Sequence, residues 1–296
     1  LPSKYTPPNT DYEGAGTKLY VQKINQLGEH DDWRFMQAFI LNFKPSFIKN
    51  LNIGIIRWVQ MYSALIRGEY SWMNGKPNYF PVFSNLFRKN DMFENYEAQI
   101  DQAGGFFLRW LWDDSNAEIY AELHFNDTRQ NIRDFLLDTD HSSASTLGIR
   151  KNLKTKLYDY IFSWEWTRME QTAGQLLRDS GSWYEHTYVY HGYTNNGEVL
   201  GSSIGPGSNS HYMSLSTFRN KNFYKVAFEI IENDNDFYHE AFSSARDFRR
   251  YWKDYNLHLS YGKKTKSLWI NLDLVFVRSL NYKWELDDSI TTPYYH

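Results

Sequence analysis

The nine residues from Tyr158 to Trp166 separate by parity: Tyr158, Tyr160, Phe162, Trp164 and Trp166 alternate with Asp159, Ile161, Ser163 and Glu165. In an extended strand, successive side chains leave opposite faces. This segment therefore has one wholly aromatic face, which needs an apolar neighbour, and one face with two carboxylates, which needs water. Two environments satisfy both demands. One is a soluble sandwich, where a second sheet covers the aromatic face. The other is an outer-membrane barrel, with lipid outside and water in the lumen.

The pattern recurs. Phe106, Leu108, Trp110 and Trp112 oppose Phe107, Arg109 and Leu111. Tyr224, Val226, Phe228 and Ile230 oppose Phe223, Lys225, Ala227, Glu229 and Ile231. Leu268, Ile270, Leu272, Leu274 and Phe276 oppose Trp269, Asn271, Asp273 and Val275. Near the C-terminus Leu280, Tyr282, Trp284 and Leu286 oppose Asn281, Lys283 and Glu285. Mid-strand charges fall at Arg57, Arg109, Arg150, Asp159, Glu165, Glu229 and Asp273. Because both signs are present, they read as a pairing network lining a lumen rather than as an ion path. Periodicity alone leaves barrel and soluble sheet both open.

Composition bears on that choice. The 296 residues include 23 Tyr, 20 Phe and 11 Trp, an aromatic share of 18% that suits aromatic girdles at two membrane interfaces. Mean hydropathy is -0.65, and no apolar run reaches the ~18 residues of a transmembrane helix; half-apolar strands escape that test. The net charge of -3 argues against nucleic acid as a partner. The absence of Cys removes disulfide frameworks and cysteine-based zinc sites. The start, Leu1-Pro2-Ser3-Lys4, has no apolar signal segment and no initiator Met, so a mature product or a fragment is expected.

Along the chain, residues 1–16 read as an irregular lead-in to a single β domain covering 1–296. Strands are expected at Thr17–Asn25, Trp33–Phe43, Leu51–Tyr62, 104–113, 117–126, 144–151, 155–166, 183–191, 211–219, 222–233, 256–262, 267–277 and 279–286. That is about twelve to fourteen strands. Helical segments are expected near Asn85–Ile100, at Arg129–Leu137 and within Phe242–Tyr255. Short turns alternate with long polar insertions, notably 63–103 and 167–210. This is the rhythm of a barrel with short periplasmic turns and long outer loops.

Residues 191–210 carry Gly192, Gly197, Gly201, Gly205 and Gly207, with Pro206 between the last two. Such density reads first as a structured loop folded against the sheet, and second as an anion cradle. No Gly-Lys-Ser/Thr signature accompanies it, which excludes a nucleotide site. The run Gly192-Tyr193-Thr194-Asn195-Asn196-Gly197-Glu198-Val199-Leu200-Gly201, continuing through Ile204-Gly205-Pro206-Gly207-Ser208-Asn209-Ser210, resembles the capsule assembly Wzi family in its Bacteroidetes form. Supporting pieces are Phe125-Asn126-Asp127, Arg133-Asp134-Phe135-Leu136-Leu137, His141-Ser142, Leu147-Gly148-Ile149-Arg150 and Asn233-Asp234-Asn235-Asp236-Phe237-Tyr238. The resemblance implies an eighteen-stranded outer-membrane barrel in Gram-negative bacteria. It implies a lectin-like role in attaching capsular polysaccharide, with other outer-membrane proteins as possible partners. By length, this chain matches about the C-terminal two-thirds of such a protein.

Catalysis finds no support in the residues. No pair among the loop acids is singled out for glycoside hydrolysis, and no Gly-x-Ser-x-Gly elbow is present. Asp234-Asn235-Asp236 echoes a calcium loop without its Gly and distal Glu. No enzyme, cofactor or metal is therefore expected. Sugar recognition uses aromatic faces and hydrogen-bonding forks. In non-strand segments Tyr70, Trp72, Tyr79, Tyr193, Asn195, Asn209, Arg249 and Trp252 offer both, and they are the glycan-binding candidates.

Overall fold

A computed structural model describes residues 33–63, 66, 79–83, 100–126, 140–156, 158–171, 181–186, 189, 191–195, 198–241 and 250–284. It contains one ten-stranded antiparallel sheet whose strands follow one another in chain order, interrupted once by a separate hairpin. The first six strands are β1 (Arg34–Phe43), β2 (Leu51–Tyr62), β3 (Asp101–Trp112), β4 (Ala117–Asn126), β5 (Ser143–Lys154) and β6 (Asp159–Arg168). A separate two-residue hairpin follows, β7 (Thr194–Asn195) with β8 (Glu198–Val199). The sheet then resumes with β9 (Asn209–Arg219), β10 (Asn222–Glu232), β11 (Lys253–Lys264) and β12 (Trp269–Leu280). One short helix, α1 (Asn235–Ala241), lies between β10 and β11. No described helix is long and apolar enough to cross a membrane.

The connections sort by length and by end. At one end of the sheet the chain turns at 44–50, 113–116, 155–158, 220–221 and 265–268. At the other it makes the longer excursions 63–100, 127–142, 169–208 and 233–252. Two of the short turns are built alike. Thr155 Oγ1 donates to the Tyr158 carbonyl and accepts from the Tyr158 N–H, and Thr265 Oγ1 does the same with Leu268. The Thr155 and Thr265 N–H groups donate to the same carbonyls, so backbone and threonine hydroxyl close each turn together.

Cross-strand register turns the parity of each strand into two continuous faces. One row of facing residues runs Leu51, Trp110, Ile119, Ile149, Trp164, Met213, Phe228, Leu257, Phe276 from β2 to β12 without a polar member. On the other face a row runs Asn52, Arg109, Tyr120, Gly148, Glu165, Tyr212, Glu229, Asn256. The apolar face is uncovered in its middle: Phe106, Leu215, Val226 and Leu274 are each about half exposed. Among the described strand residues it carries one carboxylate, Glu232. The segregation weakens at the edge strands, where Met36 and Ile40 of β1, and Val275 and Val277 of β12, put apolar groups on the polar face.

Aromatic pairs concentrate near the short-turn end of the apolar face. Trp110–Trp112, Tyr158–Tyr160 and Tyr224–Tyr261 have ring centroids 5.0, 5.7 and 5.3 Å apart. At the other end Trp166 stacks with His211 at 6.4 Å. Buried residues gather at the long-connection end, where Val59, Met61, Ile66, Val82 and Ile100 form one cluster.

Several expected elements shift. Thr155–Tyr158 is a turn, so β6 starts at Asp159. The strand expected at 183–191 is absent from its described residues. Left-handed backbone at Tyr184 (φ 68°), and at Gly192 just beyond it (φ 57°), turns the chain instead. The strand expected at 279–286 gives way to a 3-10 turn, Tyr282–Trp284. Asn281, Lys283 and Trp284 all have positive φ there, and Trp284 packs on Phe237 and Trp252. The last residues of the expected helix Phe242–Tyr255 belong to β11. Residues 1–16, the strand Thr17–Asn25, the helix Arg129–Leu137 and nearly all of Asn85–Ile100 lie outside the described residues.

Candidate functional site

The polar face and the connections folded against the long-connection end hold the chemistry that the strands do not need for pairing. On β3–β6, Arg109 Nε donates to Glu118 Oε1 at 2.6 Å, and Arg150 approaches Glu118 at 3.9 Å. Tyr120 donates to Glu165 at 2.5 Å across the strand that carries Gly148. A Cβ at Gly148 would overlap the Tyr120 ring, so the bare backbone is what lets the phenol span β5. On β10–β11, Glu229 accepts from Asn256 at 3.1 Å and lies 3.4 Å from His258. Among the described residues none of the seven expected charges pairs with another of them; on the polar face their partners are Glu118, Tyr120, Asn256 and His258, in two separate patches. Asp159 and Asp273 are exposed and form no ion pair among the described residues. Arg57 must be removed from the network. Its register partners are Phe39 and Gly104, which puts it on the apolar face, where it donates to Gln102 at 2.7 Å.

Described residues of the glycine-rich connection lie against the polar face at β2–β5 and at β1. Trp183 packs with Ala103, Ala144 and Met169, and Trp58 meets Trp183 and Tyr193 at 6.4 and 6.2 Å. At the far side, Arg34 of β1 donates to the carbonyls of Gly192 (2.6 Å) and Thr194 (2.5 Å), and Tyr62 pairs with His191 at 3.1 Å. Burial lowers the pKa of His186 to about 4, so this ring is neutral and accepts the Val189 N–H. Burial pushes the Tyr184 hydroxyl up against the opposing bond from the Ser202 N–H, while its ring crowds Gly201. Gly205 and Gly207 adopt positive φ on either side of buried Pro206. Gly197 lies outside the described residues. The connection is thus a structured loop lying over the sheet.

A second knot joins this connection to the β10–β11 connection. Glu170 Oε2 accepts from Asn209 (2.5 Å) and Asn235 (3.0 Å), and Glu232 Oε1 pairs with Lys253 at 2.6 Å. Burial alone would raise the Glu170 pKa, but bonds from His239, Asn235 and Asn209 outweigh it and hold the carboxyl below its usual range. Asp236 accepts from Gln171 N–H (2.8 Å) and Ser182 Oγ (2.7 Å). Burial nevertheless lifts its pKa to about 7, with Glu170 adding to the rise. Asp234-Asn235-Asp236 is therefore a buried joint. No His/Asp/Glu cluster among the described residues could hold a metal ion.

The glycan-binding candidates do not converge. Tyr193 is buried against Trp58, and Asn195 is exposed beside it. Asn209 belongs to the Glu170 knot, while Trp252 donates to Asp254 at 3.0 Å and packs on Tyr282. Tyr79 is 63% exposed, its carbonyl accepting from Gln37 of β1. Tyr70, Trp72 and Arg249 lie outside the described residues. A groove of about 460 Å³ on the apolar face is lined by residues such as Leu41, Ile53, Ile55, Phe106 and Leu123, a surface for hydrocarbon rather than sugar. Sequence reasoning missed Arg34, Tyr62, Trp58 and the Tyr120–Glu165 bond, because each meets partners far away in sequence, in the 169–208 connection or two strands over. No family model, no curated protein and no solved structure matches the chain.

Proposed function

We propose that this chain is part of an outer-membrane β-barrel that binds surface polysaccharide and helps hold a capsule, without enzymatic activity. The observation that carries the membrane half of this reading is the two-faced sheet. A cross-strand row is apolar over nine strands, flanked by aromatic pairs, and backed by charged and amide residues. Lipid outside and water inside meet both demands, and long connections at one end with short turns at the other fit that topology. In lipid the free edges of β1 and β12 would leave backbone groups unsatisfied. The reading therefore requires those edges to pair, with each other or with further strands of a barrel of up to the family's eighteen.

The glycan half rests on the resemblance of 192–210 to the capsule assembly family, together with exposed Asn195 and Tyr79. Weak contacts repeated along a long polymer would add through avidity. The test pairs heat-modifiable gel migration of detergent-folded protein with retention on immobilised capsular polysaccharide from the host cell. A shift on boiling and retention that excess soluble capsule abolishes are expected. Migration unchanged by boiling in water-soluble protein overturns the membrane half, and passage through the column overturns the glycan half.

A substrate-conducting barrel is the second reading, favoured by the charged polar face. Trp183, Gly192 and other described residues of the 169–208 connection pack on part of that face, which argues against it. Single-channel steps in a planar bilayer would decide for conduction.

A further inference from the structure

We propose that the rim of the short hairpin turns binds the headgroup phosphates of anionic phospholipid. Three hairpins that are consecutive in the sheet, β5–β6, β9–β10 and β11–β12, each present one cation from the apolar face and one from the turn there, and Lys154 and Lys264 add exposed charge at the strand ends on the polar face. Lys151, Arg219 and Lys263 project from the apolar face itself. Lys156, Lys221 and Lys266 stand exposed in the turns. The two threonine-closed turns place Lys156 and Lys266 at the same position of the same motif. Lys151 donates to the Ser115 carbonyl, and Arg219 sits 4.5 Å over the Tyr158 ring; among the described residues neither forms an ion pair with an acid. The one carboxylate on the apolar face among the described strand residues, Glu232, lies at the opposite end, bound to Lys253.

The sign and the geometry together select the partner. Cations at the margin of an apolar surface keep their stems on hydrocarbon and their heads at the polar boundary. The aromatic pairs Tyr158–Tyr160 and Tyr224–Tyr261 sit beside them, where amphipathic rings favour a lipid interface. Adjacent strands are about 4.8 Å apart, so the hairpins spread their charge over a run of headgroups rather than around one ion. Each Lys or Arg near an anionic surface changes binding roughly fivefold. This inference rests on the reading of the apolar face as lipid-facing.

The test is native mass spectrometry of the detergent-folded protein titrated with dilauroyl phosphatidylglycerol or dilauroyl phosphatidylcholine. The wild type is expected to retain the anionic lipid at least about fivefold better. A variant with these six cations, Lys154 and Lys264 all changed to Gln should lose that preference while keeping its heat-modifiable migration. Should it not fold, Lys156→Gln, Lys221→Gln and Lys266→Gln together should still halve the preference or more. Equal retention of both lipids by heat-modifiable wild type overturns the proposal, as does a preference that survives the substitutions. Displacement of the lipid by millimolar inorganic phosphate, or by polygalacturonate, would point to a phosphate or polyanion site and also overturn it. Wild type whose migration is unchanged by boiling would instead sink the membrane reading beneath it.

Discussion

At the scale of single residues, two positions have no room for a side chain or an extra charge. Gly148 leaves the Tyr120 ring free to cross β5 and bond Glu165. Gly148→Val is expected to displace that ring, leave Glu165 without its donor and cost about 1–3 kcal/mol, read as a lower thermal midpoint. Tyr120→Phe should reproduce most of the loss, and full stability in either variant would contradict the account. Asp236 gives a pH dependence whose sign is fixed. Its pKa rises from an ordinary 3.8 to about 7 in the fold, first because of burial. Between those values the folded state holds the extra proton, so stability falls as pH rises from about 4 to about 7. Asp236→Asn keeps a neutral amide in that place and should flatten the decline. Thermal midpoints at pH 5 and pH 8 would show it, and an unchanged slope would remove Asp236 as the cause.

At the scale of elements, the glycine-rich connection is held by its far end. Arg34 grips two carbonyls across more than 150 residues of sequence, and Gly207 makes the return turn at φ 58° with Asp234 and Asp236 against it. Arg34→Ala should loosen the 181–204 region and raise its cleavage by a protease about tenfold or more, because local opening sets the rate. Cleavage at the wild-type rate would mean that the Trp58–Trp183–Tyr193 contacts suffice. Strand existence was legible from the sequence: β2 and β4 occur with the expected bounds, because period-two alternation reports a two-faced environment directly. Failures fell where parity continues through a turn. Tyr158 keeps the aromatic alternation while its backbone closes a turn with Thr155, and Tyr282 and Trp284 alternate in a segment of positive φ. Site residues were less legible. Arg57 sits between Ile56 and Trp58 and looks like any mid-strand charge, and only the register with Phe39 and Gly104 puts it on the apolar face.

At the scale of the molecule, the contrast between faces makes a paired prediction. Val226 faces the apolar side, and Ser260 the polar side one strand away. In phosphatidylcholine vesicles Val226→Arg should cost about 2–4 kcal/mol at mid-membrane, whereas Ser260→Arg should cost far less. Urea titration followed by tryptophan fluorescence measures both, and equal costs would argue against a bilayer around the sheet. The sheet is also a plain succession of hairpins, its strands in chain order, with every short turn at the same end. Gaining or losing one hairpin would alter no register in the rest, so circumference can change in steps of two strands without refolding the remainder. A lineage built this way can widen or narrow by duplication and deletion while the long excursions diverge freely, and kinship among its members would be easier to see in the rhythm of turns than in residue identity.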